Sequence, residues 1–343
     1  MNGLILFAGL ILLLWIGSSI FIPLLVATFL WYLINATATY YRKLFPREPR
    51  HHGVEIFFEL TSHVLSIATY VGLIYLFATR VRPMSGEILP AIPEIQDKLN
   101  TTWTYIDDTF GLDISGVAMP SIEKIVSSVG TSVAKLATSM GMVLVYMIFM
   151  FVEQSTFHKK LAELFPNKTQ HKKMRFILSS IDENMKKYLF MKTLVSGITG
   201  IISYIWMYML DLQFAGIWAF VIFILSYIPT IGAIIGCGLP ILFAVVMGAT
   251  LNELVLLSLG LIGLQLLFGN IIEPKLTGKT LNLSTLAILI NLVFWGLIWG
   301  VAGMFFSVPL LVATFIITAQ FDSTRWVAIL LSADGKIPDK DED

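Results

Sequence analysis

Apolar positions gather into ten blocks, at 3–16, 19–34, 54–79, 136–152, 188–210, 214–231, 233–248, 254–271, 284–302 and 304–321. A helix crossing a bilayer upright needs ~20 apolar residues, and several blocks fall short. The short ones come as neighbours joined at Gly or Pro: 3–16 with 19–34, 214–231 with 233–248, and 284–302 with 304–321. Each pair reads either as a tight or re-entrant hairpin or as two ordinary short spans of a tilted bundle. Backbone that breaks at membrane depth is tolerated only where protein or a wet cavity surrounds it. Interrupted pairs therefore point to a transport pathway. The pattern predicts an all-α, polytopic helical membrane protein of about eight spans, with Gly/Pro-broken hairpins and amphipathic helices outside the bilayer.

The heptapeptide PLLVATF occurs twice, at Pro23–Phe29 and Pro309–Phe315, and each copy follows a glycine by six residues, Gly17 and Gly303. Both copies open the second arm of a broken pair. Outside the apolar blocks, Ile92, Ile95, Leu99, Trp103, Ile106 and Phe110 recur at helical spacing, with Pro93 in the expected first turn. A second stripe runs through Ile122, Ile125, Val129, Val133 and Leu136, and a third through Met174, Ile177, Ile181, Met185 and Tyr188. These stripes suit packing within the protomer, the membrane surface or a subunit interface equally.

Composition narrows the class. Of 343 residues, 56% are hydrophobic and 13% charged, against about 25% charged in soluble proteins. Mean hydropathy is +0.80. The 23 basic and 23 acidic residues balance, so charge gives no reason to expect a nucleic-acid partner. One cysteine, Cys237, excludes an intrachain disulfide. The N-terminus lacks a basic leader and an A-x-A site, so it reads as retained rather than as a signal peptide.

Charge also orients the chain. Arg42, Lys43, Arg47 and Arg50 stand against Glu48 alone, and 153–187 carries eight basic residues against four acids. The stretch 80–135 has five basic and seven acidic residues. Positive loops stay inside, so the first two face the cytoplasm, the third faces out, and both termini are expected inside. The organisation expected is membrane segments over 1–79, an extracytoplasmic helical region over 80–135, and a span with a cytoplasmic amphipathic helix over 136–187. A transport core over 188–322 and a polar, acidic tail over 323–343 follow.

Ionisable and amide side chains in apolar blocks are the candidate functional residues. Glu55, Glu59 and His63 stack at i, i+4, i+8 and suit a proton or cation relay, unless the two carboxylates sit among the lipid headgroups. Gln265, Asn270 and Asn291 would face protein or a pathway rather than lipid. Thr193, Ser196, Thr199 and Ser203 form a small polar stripe. Glu273-Pro274-Lys275 places opposite charges at a helix break. The chain has no phosphate loop and no hydrolase or metalloprotease motif, so neither an ATP-driven motor nor an enzyme is expected, and no metal or cofactor.

From Asn270 to Leu311 the chain resembles the autoinducer-2 exporter family of predicted permeases. The features that carry the likeness are Glu273-Pro274-Lys275, Gly278, Gly296, Gly300, Gly303 and Pro309. Upstream, "SYIPTIGAIIGCGLP" resembles the family's Ile-Pro turn, with Pro229, Gly232, Gly236 and Pro240 in place. The family often has a proline where this chain has Thr285. The resemblance implies a multi-pass inner-membrane permease that exports autoinducer-2 or exchanges sodium or lithium for protons, assembled as a homo-oligomer, with pentamers described. On this reading the solute is small and polar or a monovalent cation, and the lipid bilayer is the surrounding partner. The hairpin at Pro229–Pro240 would open toward the cytoplasm and those at Gly17–Pro23 and Gly303–Pro309 outward, as alternating access requires. A membrane scaffold built on the outer helices is the reading from another class.

Overall fold

The computed structural model describes residues 2–46, 52–111, 122–277 and 282–337. Every element but one isolated β-bridge is helical among them. The helices are α1 (Asn2–Ile16), α2 (Ser18–Arg42), α3 (His52–Phe110), α4 (Ile122–Leu164), α5 (Lys168–Met209), α6 (Ala215–Leu225), α7 (Ile231–Val246), α8 (Leu251–Gln265), a π-helical segment (Leu266–Ile272), α9 (Glu273–Thr277), α10 (Thr285–Ala319) and α11 (Arg325–Leu331). Five helical segments are long and apolar enough to cross a membrane, and three shorter apolar helices accompany them. The polytopic helical fold expected from the apolar blocks is therefore the fold observed.

Two of the broken pairs are true hairpins. In the first, α6 and α7 are too short to span a ~30 Å hydrocarbon core: eleven residues of α6 rise about 16 Å. They turn through Ser226–Thr230. A Cβ at Gly232 would run into the carbonyl oxygen of Leu225, and one at Gly236 would sit 3.6 Å from the Ile222 Cα. At Gly232 only glycine lets the arms close that far. At the tip, Ile231 N–H donates to the Pro229 carbonyl at 2.6 Å across Thr230, which takes φ 57° and ψ −59°. That is the rare, strained form of a three-residue turn.

The second hairpin lies within α10. Gly300 breaks it with φ 60° and ψ −139°, a conformation open in practice to glycine alone. A Cβ at Gly303 would strike the Trp295 carbonyl oxygen. Asn291 Nδ2 donates to the Ser307 carbonyl at 2.6 Å, so the arms 285–299 and 301–319 lie side by side. The first arm is about 22 Å long.

The third pair differs from expectation. Gly17 bends the chain rather than reversing it. Its dihedrals stay near-helical at φ −77° and ψ 7°, its N–H bonds Leu13, and its carbonyl accepts from Phe21. The atoms a Cβ there would meet belong to Leu13 and Phe21, its own helical neighbours, not to a returning arm. Pro23 lies inside α2, buried. Pro93 also departs from its expected first-turn place, because α3 runs unbroken through it for 59 residues. A helix already propagating loses only one bond at such a residue.

Cross-contacts fix the registers. Gly200 on α5 meets Phe223 and Ala219 on α6, Trp206 donates to the Leu256 carbonyl on α8, and Lys192 reaches Glu273 on α9. Helix α6 and the segment α8–α9 thus both run antiparallel to α5. The arm 301–319 runs parallel to α2, with Phe29 against Phe305 and Phe306 and Leu33 clustered with Val308 and Val312. Following the chain, the root of α6–α7 lies level with Met209, while the root of α10 lies with Arg42 and Lys168. The two hairpin tips therefore point in opposite directions.

The stripe from Met174 to Tyr188 faces inward, with Ile177, Met185 and Tyr188 buried, and part of it packs on Leu33, Val308 and Val312. It is a protomer core, not an interface. Of the outer stripe, Ile95 is buried while Ile92 and Leu99 are half-buried. The side chains of Trp103, Ile106, Phe110 and of the stripe Ile122–Leu136 lie outside the described residues, as do Arg47, Glu48, Arg50 and Gly278. Within the expected polar tail, 325–331 form α11, packed through Ala328 on Phe315 and Ala319.

Candidate functional site

The site begins with one lysine. Lys192 is the sole charged residue in the apolar block 188–210, and its side chain is 7% exposed. Burying an ammonium is costly unless it is paired. Its partner is Glu273, whose Oε1 accepts from Nζ at 2.5 Å, with 24% of the Glu273 side chain exposed. The pair joins α5 to the first residue of α9.

The backbone explains how Glu273 comes to face inward. Between Gln265 and Glu273 the helix loosens into π geometry for seven residues, and Glu273 N–H bonds the Phe268 carbonyl five residues back. A π-segment rotates everything beyond it relative to an α-helix, and such segments favour functional sites. Pro274, with no N–H of its own, then opens α9.

Around the pair lie hydroxyls. Tyr188, one turn before Lys192, is buried and near enough to Glu273 to feel its charge. Tyr227, at the tip of the α6–α7 hairpin, donates to Thr193 Oγ1 at 2.6 Å. Tyr70 on α3 and Thr37 on α2 share a hydrogen bond of 2.7 Å. Ser196, one turn beyond Lys192 on the same buried face, has a hydroxyl with no hydrogen-bond partner among the described residues. Above these, Tyr227 stacks on Phe305 with centroids 4.6 Å apart, and Phe29 stands edge-on to both. Helix α2 and the two hairpins, α6–α7 and α10, converge on this aromatic cluster.

The residues singled out in the sequence divide into groups. Glu273, Pro274 and the tip residue Pro229 belong to this site, with Gly232, Gly236 and Pro240 as the close-packed glycines and buried proline that shape its hairpin. Lys275 points to the surface, so Lys192 supplies the charge opposite Glu273. Gln265 is half-buried at the start of the π-segment and Asn270 is exposed within it. Asn291, Gly300, Gly303 and Pro309 build the α10 hairpin. Glu55 and Glu59 are exposed, and His63 contacts the Asn35 side chain through Nε2 at 3.2 Å and the Glu59 backbone carbonyl through Nδ1. These three lie on α3.

Sequence reasoning passed over Lys192 and the π-segment, and read Tyr188 only as the end of an apolar stripe. A signal existed for the lysine: a single charge within an apolar block is a functional candidate. It was masked by the basic run ending at Lys187, five residues earlier. The π-segment left no signal beyond the amides Gln265 and Asn270.

Interrupted helices around a buried ion pair, in a polytopic α-helical chain, define a membrane permease. The family model for AI-2E family transporters matches residues 4–323, and the chain belongs to that family. It is similar to the AI-2 transport protein TqsA of Escherichia coli (strain K12), 27% identical over 325 residues, 92% of this chain and 90% of that one. A Haemophilus influenzae protein that carries a provisional transport-protein name is 34% identical over 61% of this chain and 60% of its own. A sodium-lithium/proton antiporter of Halobacillus andaensis is 24% identical over 58% of this chain and 56% of its own.

Proposed function

We propose that this permease is a secondary transporter that exports a small polar solute, autoinducer-2 among the candidates, by alternating access in a cell's inner membrane. The face carrying Arg42, Lys168 and α11 is cytoplasmic on this reading, in accord with its basic loops. The observation that carries the proposal is the buried Lys192–Glu273 pair, set where the tip of the α6–α7 hairpin meets the helix break between α8 and α9. In this arrangement the pair and the Tyr227–Thr193 bond close the path. A solute with adjacent donors and acceptors replaces both contacts as the α6–α7 tip withdraws. Glycine-tight hairpins move as rigid units, which suits rocking against a fixed bundle. The exposed apolar faces of α3 and α4 accord with a homo-oligomer, a pentamer among the options.

A second reading, sodium or lithium exchange for protons, is favoured by the same pair, because one carboxylate held by one ammonium suits charge exchange. The resemblance to a named antiporter supports it. Purified protein in liposomes, with a trapped pH dye and imposed autoinducer-2, sodium or lithium gradients, separates them. Autoinducer-2 flux is the expected result. A proton signal driven by sodium or lithium alone transfers the assignment to the second reading, and no flux of any kind returns the protein to the scaffold class.

A further inference from the structure

The short helix α11 carries a feature that transport does not explain. Its inner side is sealed: Ala328 is fully buried against Phe315 and Ala319. Its outer side is apolar and open, with Trp326 62%, Ile329 46% and Leu330 69% exposed, at spacings of three and one that share one face. Seven residues cannot hold a helix alone. The backbone holds it instead: Ser284 N–H donates to the Leu331 carbonyl at 2.8 Å, and Ala333 N–H to the Asn282 carbonyl at 2.9 Å. Asn282 Nδ2 also bonds Asp334 at 2.7 Å. These bonds seize the root of the α10 hairpin, since Ser284 caps its first arm.

We propose that the outer face of α11 docks on the anionic phospholipid surface of the bilayer and anchors the root of the α10 hairpin there. Two observations select lipid. Phe315 and Ala319 are the last turns of the span Thr285–Ala319, so α11 lies level with the end of that span. Tryptophan prefers that depth. Beside it stands exposed basic charge: Lys173 lies 4.4 Å from the Phe321 ring in the α10–α11 turn, with Lys172 and Arg175 close by in sequence. Apolar side chains flanked by cations match the headgroup boundary of an anionic membrane. The anchor acts on whichever solute the protein carries, so it stands apart from the transport assignment.

The full chain with Cys237→Ser has no other cysteine, so a fluorophore placed at Leu330→Cys reports on this face. Vesicles contain spin-labelled phosphatidylcholine in either phosphatidylcholine or an equal mixture with phosphatidylglycerol. Quenching of roughly twofold or more is expected at position 330, little at Lys336→Cys, and more in the anionic vesicles. Lys172, Lys173 and Arg175 all changed to Gln should remove the anionic preference. In the otherwise native chain, Trp326→Phe should lower the share of tryptophan emission quenched by brominated lipid. Energy transfer between labelled copies without lipid quenching would mean that a second subunit covers the face, and the proposal fails. Quenching by aqueous iodide alone would place α11 in water and overturn it equally.

Discussion

Removing the Lys192 charge is the sharpest perturbation the structure offers. Lys192→Met keeps the length of the side chain and removes the ammonium that faces the Glu273 carboxylate, which is only 24% exposed. Breaking a buried pair from one side costs about 3–5 kcal/mol, and the partial exposure of Glu273 places this case near about 3 kcal/mol. A chain of this size loses about 2 °C of melting temperature per kcal/mol, so a fall of about 6 °C is expected. The double variant Lys192→Met, Glu273→Met removes both desolvation costs together with the attraction, and should return to within about 2 °C of the parent. Thermal unfolding in detergent measures the stability cycle, and solute leak from proteoliposomes measures gating. If the pair is a gate, the double variant is stable yet leaky. Single variants that melt with the parent, or a double variant showing the plain sum of two losses, would refute the coupling. A stable double variant with tight, normal transport would leave the pair a structural strut.

Two further outcomes follow from the same geometry. Gly232→Ala and Gly303→Ala each drive a Cβ into a backbone carbonyl that cannot rotate away. Each should cost about 1–3 kcal/mol in thermal unfolding and depress flux, while Gly197→Ala, with nothing near it, should cost nothing. At the α11 clasp, the Asn282 amide and then the Lys336 N–H hold the Asp334 carboxyl below the usual aspartate range. A depressed carboxylate stabilises above its unfolded pKa and loses that contribution as pH falls through the folded one. The clasp should therefore stay shut at neutral pH and loosen only in acid below about pH 4. Hydrogen exchange at Ser284 and Ala333 reads this, and Asp334→Asn should abolish the pH dependence.

The fold was legible where it depends on local pattern. Apolar blocks gave the helices, and Gly232, Gly303 and their prolines marked two hairpins, because a tight reversal must be written in small residues at the crossing. Gly17 carried the same mark without the reversal, since a glycine permits a turn but only a returning arm enforces one. The site was half legible. Glu273-Pro274 announced a break in the chain itself, but its partner is 81 residues away. Pairing across that distance depends on the antiparallel register of α5 with α8 and on the rotation imposed by the π-segment. Neither is a property of any short stretch.

The repeated PLLVATF gains its meaning from that tertiary register. Both copies lie in helices that run the same way, and Phe29 of the first packs on Phe305 and Phe306, just before the second. Between them the Tyr227 ring enters from the opposing hairpin. Aromatic contacts of this kind contribute about 0.5–1.5 kcal/mol each beyond their burial, less than the buried ion pair. In the rocking motion proposed above, the rings would slide and re-form, while the Lys192–Glu273 pair would have to break outright. The barrier to opening the basic face would then reside at the pair. On the proposed mechanism the repeat would supply an apolar bearing, and its one hydroxyl per copy, Thr28 or Thr314, is turned onto its own helix at the Leu24 or Leu310 carbonyl.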